Sequence, residues 1–176
     1  MQQTHAIFGR RVPGARHADS DALLLLNALL GDGMASRLFQ RVRERHGYAY
    51  NIYSFATLYE DAGVFGVYLC ADQSTVEKSV DLIRRELDDL RVAPVSAREL
   101  RRTKEQVIGS TMLGLESMST RMSRLAKDHL YYGRVTPVEE IVRRIENVSA
   151  ADIQRVAVHA CAHERYSSVT IDPVQE

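Results

Sequence analysis

The spacing of apolar residues changes several times along this chain, and each change marks a predicted element. Residues 4–12 read as a strand leading into a polar turn. Leu23, Leu26, Leu29 and Leu30 then follow i, i+3, i+6, i+7 spacing, which predicts a helix capped at Asp19 or Ser20 and stopped by Gly31 and Gly33. A second, short helix is expected from near Ser36, with Leu38, Phe39 and Val42 inward and Gly47 as a left-handed C-cap. Residues 48–59 and 64–70 alternate and are rich in β-formers, so they predict a hairpin. A lone hairpin is not stable, so it should join residues 4–12 and the β-like run 166–171 in one sheet. Four capping signatures announce further helices: Ser74 with Glu77, Ser96 with Glu99, Thr136 with Pro137 and Glu139, and Ser149 with Asp152. Segment 97–132 carries Leu100, Val107, Met112, Leu115, Met118, Met122 and Leu125 as its apolar positions. Gly109 and Gly114 should bend it or divide it into two helices. The element order is not βαβαβ. It predicts an α+β fold, a largely antiparallel sheet packed on a layer of helices.

Composition narrows the class of molecule. The 176 residues, 45% hydrophobic and 26% charged, fit one folded domain spanning 1–176 rather than a disordered or low-complexity chain. Twenty-three basic residues balance 23 acidic ones, leaving no long-range attraction for nucleic acid or an anionic membrane. The apolar run Leu23–Leu30 is interrupted by Asn27 and is far shorter than the ~20 residues of a membrane span, and no targeting segment is expected at the start. Cys70 and Cys161 lack C-x-x-C spacing, which points to a reducing compartment such as the cytoplasm.

Several motifs invite chemistry. His159 and His163 are four apart, as for two metal ligands on one helix face, but Cys161 would point away from them; an amphipathic helix with one buried thiol is the plainer reading. Gly31-Asp32-Gly33 joins helix to helix and lacks a phosphate-loop pattern, so it reads as a terminating turn. No G-x-S-x-G elbow is present, and Cys70 lies in an apolar strand where a thiol is usually inert. Arg37, Arg41, Arg43 and Arg45, followed by Tyr48, Tyr50 and Tyr53, interleave charge with aromatics. Tyr48 and Tyr50 are expected to share a strand face, because side-chain direction repeats every two residues, so this constellation can point into a common groove.

The run from Leu29 to Tyr50, with Gly31-Asp32-Gly33-Met34-Ala35-Ser36-Arg37-Leu38-Phe39 at its head and Val42-Arg43-Glu44-Arg45-His46-Gly47-Tyr48-Ala49-Tyr50 at its end, resembles the insulinase-like (M16) zinc peptidases. It is similar to their second, non-zinc domain. The similarity continues through Tyr59–Gly63, Phe65-Gly66, Leu100–Gln106, Leu113–Ser117 and Arg121–Leu125. The resemblance implies an α+β domain that pairs with a like domain around an unfolded peptide. The family's zinc motif, H-x-x-E-H, is missing: no glutamate directly precedes any of the six histidines. H-E-x-x-H also fails, since His163-Glu164 is followed by Arg165, Tyr166 and Ser167.

The chain alone is therefore expected to hold no cofactor and to hydrolyse no peptide, zinc belonging to a homologous partner domain or subunit. In the relatives the second domain supplies an arginine and a tyrosine seven apart, which fall here on Arg43 and Tyr50; the register Arg41 with Tyr48 satisfies the same spacing. A phenol can donate to an oxyanion and a guanidinium can hold a substrate carbonyl. The alternative implied by the family is a structural subunit without proteolysis, as in respiratory-complex core proteins. An isolated domain of this kind is expected to self-associate through the surface it turns toward its sibling.

Overall fold

In the computed structural model, residues 3–173 are described. Four antiparallel strands, β1 (Thr4–Pro13), β2 (Asn51–Leu58), β3 (Ala62–Ala71) and β4 (Ser167–Ile171), form one sheet in the order β2-β3-β1-β4. The hairpin closes at Leu58 opposite Gly63, and β1 lies along the full length of β3, from Thr4 opposite Ala71 to Pro13 opposite Ala62. The late strand β4 pairs only with His5–Gly9. The hairpin and the membership of all four strands in one sheet are as expected from the sequence; the central place of β1 between β3 and β4 is not given by the alternation.

One face of the sheet carries Ala6, Val12, Ile52, Phe65, Val67 and Leu69, all buried under helices. Nearest to it lies α1 (Ser20–Gly31), nine of whose twelve residues are buried, because it is covered by the sheet on one side and by other helices on the other. That double contact explains why its leucines occupy more than one stripe. At its end Gly31 approaches β2 so closely that a Cβ would stand 2.2 Å from the Ser54 nitrogen, and the Ser54 hydroxyl donates to the Asn27 carbonyl at 2.9 Å. The remaining helices are α2 (Val76–Val92), α3 (Ala97–Gly114), α4 (Met118–Tyr132), α5 (Val138–Asn147) and α6 (Ala150–Ala160).

Segment 97–132 divides at Gly114, while Gly109 stays within α3. Its apolar residues do not form a buried stripe: Leu100 is buried, but Met112, Met118, Met122 and Leu125 are exposed. Helical periodicity promised a covering surface that these residues do not have.

Two of the four predicted caps form. Ser96 accepts from the Glu99 N–H, and Ser149 with Asp152 makes a reciprocal capping box. Ser74 does not cap α2, which starts one residue later, with the Thr75 hydroxyl donating to the Tyr48 carbonyl. Thr136 does not cap α5 either; it is buried and its N–H donates to Asp128. The helix carrying His159 ends at Ala160, so His163 falls in a short 3-10 turn beside Asp88 and shares no helix face with His159.

Candidate functional site

The segment between α1 and β2 departs from a simple α-helix. After a brief α-turn at 37–38 it continues as a π-helical turn, Phe39–Arg45, with Leu38 and Val42 fully buried and Phe39 half-buried. Such turns widen the i→i−4 ladder and occur often at functional sites. Gly47 closes it at φ +62, its N–H donating to the Arg43 carbonyl while the Tyr48 N–H donates to that of Val42. The predicted left-handed cap is therefore present, at the end of a wider helix than the sequence suggested.

This turn sorts the basic run into two groups. Arg37 forks onto Glu99 at 2.7 and 2.8 Å, and Arg41 binds Glu86 and, at 3.4 Å, Asp89. Glu86, on α2, is only 1% exposed, and burial pushes its carboxyl up in pKa further than Arg41 and Arg37 pull it down. Glu86 is the residue sequence reasoning missed. Its only signal was an acidic side chain on the inner stripe of an amphipathic helix. Arg43 points elsewhere: it is exposed, has no carboxylate within 4 Å among the described residues, and lies 5.0 Å over the Phe39 ring.

The tyrosines separate in the same way. Tyr48 and Tyr50 do not share a strand face, because β2 begins only at Asn51. Tyr48 packs half-buried against the core, and its carbonyl accepts from Thr75. Tyr50 is 53% exposed, fixed by its N–H donating to the Cys70 carbonyl at 2.9 Å. Its hydroxyl donates to Asp72 at 3.0 Å, and this bond to a carboxylate raises the phenol above its ordinary pKa, so it stays protonated and able to donate.

At the same end of the sheet, on the face turned away from the helices, His5 Nδ1 and the Tyr68 hydroxyl share a hydrogen bond at 2.7 Å. Tyr68 also stacks on Tyr53 with centroids 4.9 Å apart. Burial, with Cys70 and Tyr53 nearby, raises the Tyr68 pKa. Ile7, Val169 and Ile171 continue this open face as exposed apolar side chains.

The sequence compares with known proteins in a consistent way. The family described as the peptidase M16 inactive domain matches over residues 1–107. An uncharacterized zinc protease of Streptomyces coelicolor is 39% identical over 158 residues, which cover 89% of this chain and 34% of that protein. The chain belongs to the M16 peptidase family, as its inactive domain. Among solved structures, a protease from Helicobacter pylori superposes with a TM-score of 0.87 at 22% identity, covering 98% of this chain and 42% of that one. A chain of complex III2 from Candida albicans superposes at 0.80 with 16% identity, over 97% and 42%. Both share the fold. The M16 inactive domain thus spans about a third of the Streptomyces relative's length.

The relative's name implies zinc, and the donors in this M16 inactive domain do not fit it. Among the described residues no three His, Cys, Asp or Glu side chains converge. His5 Nε2 and Cys70 Sγ, 4.0 Å apart, lack the further ligands a zinc ion requires. Among the described residues no helix is long and apolar enough to cross a membrane.

Proposed function

We propose that this inactive domain binds an extended peptide and completes the active site of a zinc-bearing M16 domain, in the same longer protein or in a separate subunit. Arg43 is the side chain that holds a substrate carbonyl, and Tyr50 donates a hydrogen bond to the oxyanion that develops as that carbonyl is attacked. The observation that supports this reading is the division of labour along residues 41–50: Arg41 and Tyr48 are tied to the fold, while Arg43 and Tyr50 are exposed, with no carboxylate on the guanidinium among the described residues and the Tyr50 hydroxyl on Asp72. The open sheet face, with Ile7, Val169 and Ile171, supports a paired assembly, and the isolated domain should self-associate through it. The two unpaired, buried cysteines support a reducing compartment such as the cytoplasm.

The test is to combine the chain with its zinc-bearing counterpart and follow cleavage of an unstructured peptide. Activity that a chelator abolishes, and that Arg43→Ala and Tyr50→Phe both reduce, is the expected result. Full activity in both variants would overturn the assigned roles.

A second reading is a non-proteolytic scaffold subunit, supported by the shared fold with a complex III2 chain. Fold alone does not choose between them. A stable assembly that contains this chain, lacks a zinc-site subunit and cleaves nothing would favour the scaffold.

A further inference from the structure

One carboxylate is carried into the protein without being fully satisfied there. Glu86 lies on α2, 1% exposed, facing the π-turn. Arg41 binds its Oε1. Its Oε2 has no hydrogen-bond partner, and Arg37 Nη1 stands 3.9 Å away because that guanidinium forks onto Glu99 of α3. The two ends of the Arg41–Glu86 contact differ in their access to water: the arginine side chain is half-exposed and the carboxylate is buried. Arg41 can turn outward and be solvated, whereas Glu86 remains inside in either charge state.

The other charged groups around Glu86 do not take the place of Arg41. Asp89, three residues along α2, competes for the same guanidinium at 3.4 Å. The buried side chains of α6 are apolar, and β3 turns Phe65, Val67 and Leu69 toward the helices. Beyond α6 the Cys161 thiol is pushed up to about 12 by burial and is neutral, His163 sits on Asp88 at 3.1 Å, and Arg91 sits on Glu164. On the turn itself His46 Nδ1 lies 2.6 Å from the Arg41 carbonyl. Leu38 and Val42 anchor one side of the turn in the core whatever the charge of Glu86, and past Gly47 the Tyr48 carbonyl is tied to α2 through Thr75. Between these anchors the charged tie to α2 is Arg41.

We propose that Glu86 is a proton-operated clamp on the π-turn. Ionised, it holds Arg41 against α2. Protonated, it releases Arg41 to Asp89 and solvent, and residues 43–47 loosen while the sheet stays folded. Because burial raises its pKa, Glu86 takes up a proton in the folded domain at a pH where ordinary carboxylates remain charged, and that uptake favours the folded state rather than opposing it. Arg43 lies on the stretch that loosens, so acid would also unfix the side chain assigned to the substrate carbonyl. That consequence rests on the reading given for Arg43; the clamp does not, and it is tested on the chain alone.

The experiment titrates the purified chain with acid and follows three NMR signals: the Glu86 carboxyl carbon, the Arg41 Nε–H, and the protection of the Gly47 and Tyr48 amides, corrected for the intrinsic pH dependence of hydrogen exchange. Glu86 should protonate at a higher pH than the exposed glutamates. With the same midpoint the Arg41 signal should shift and protection of Gly47 and Tyr48 should fall about fivefold or more, while Val67 and Leu69 of β3 keep theirs. Glu86→Gln, uncharged at every pH, should show the released turn already at pH 7, with no further step in acid and a melting temperature level with the parent or higher. His46→Gln and His163→Gln should both retain the step. A Glu86 midpoint at or below those of the exposed glutamates, an Arg41 signal indifferent to it, or loss of β3 protection at the same midpoint would each overturn the proposal. So would a step that survives in Glu86→Gln or vanishes in either histidine variant, or a lowered melting temperature or failure to fold in Glu86→Gln.

Discussion

Arg41 with Tyr48 and Arg43 with Tyr50 are arginine–tyrosine pairs of the same spacing, offset by two residues, with the arginines on the π-turn and the tyrosines just past Gly47. Their surroundings are opposite. Arg41 neutralises a carboxylate that α2 has carried into the protein, and Tyr48 fills space against the core. Arg43 rests on an aromatic ring and Tyr50 keeps an exposed hydroxyl bonded to Asp72. Spacing alone does not separate the two pairs, and packing decides which of them is left exposed.

The largest expected effect contrasts the two tyrosines. In the assembled enzyme Tyr50→Phe removes the proposed oxyanion donor and should lower kcat by about 10²–10³, or roughly 2.7–4 kcal/mol. Tyr48→Phe should leave kcat unchanged, because its ring and its backbone carbonyl both remain. Steady-state kinetics with one peptide substrate checks the pair, and equal losses would erase the distinction.

The arginines should show the reverse order in stability. Arg41→Ala strands the buried Glu86 with Arg37 at 3.9 Å, and breaking a buried pair in this way should cost about 3 kcal/mol in urea unfolding at pH 7. Arg43→Ala should stay within about 0.5 kcal/mol of the parent. The Arg41→Ala deficit has a pH dependence of definite sign. The folded-state pKa of Glu86 is raised, so folding penalises its charged form, and losing Arg41 raises it further. Lowering the pH through that raised value protonates Glu86 and removes the need for a partner. The deficit should therefore shrink on acidification toward the ordinary carboxylate range and be greatest above it. A deficit that is constant with pH would mean Glu86 is not its source.

A third contrast concerns the turn that separates the pairs. Gly47 has open space around its Cα but a φ of +62, so Gly47→Ala meets backbone strain alone, about 1 kcal/mol. The loss should appear in urea unfolding, and kcat should fall with it if the turn also aims Arg43 and Tyr50.

These contrasts also mark what could be read from the residues. The strands, the helix ended by Gly31 and the cap at Gly47 follow from local pattern, because alternation and glycine act within a few residues. Ser96 and Ser149 cap as expected, yet Ser74 and Thr136 satisfy the same pattern and do not. There, Thr75 bonds to Tyr48 and Thr136 to Asp128, contacts that lie outside the local motif. The stripe of Met118, Met122 and Leu125 was legible as helix but not as exposed, since periodicity gives the face and not its cover. Resemblance favoured Arg43 with Tyr50 and kept Arg41 with Tyr48 as the other register. That Arg41 is engaged by Glu86, a buried residue of another helix, is something no local rule foretells.

The smallest effect tests whether Arg43 is held or merely left over. Its guanidinium lies 5.0 Å over the Phe39 ring, a cation–π contact worth about 0.5–1 kcal/mol at an exposed site. Phe39→Leu keeps an apolar side chain of similar reach and removes the ring's negative face. The expected stability loss is of that order, measured against Arg43→Ala and the double variant, where a coupling of about 0.5 kcal/mol identifies the contact. The functional consequence differs from that of Arg43→Ala. With the guanidinium present but less fixed, substrate KM should rise while kcat changes little, because the carbonyl is still bound by the same group once it arrives. Absence of coupling, together with unchanged KM, would show that Phe39 does not hold Arg43, and orientation of the free pair would then rest on the π-turn backbone and Gly47 alone.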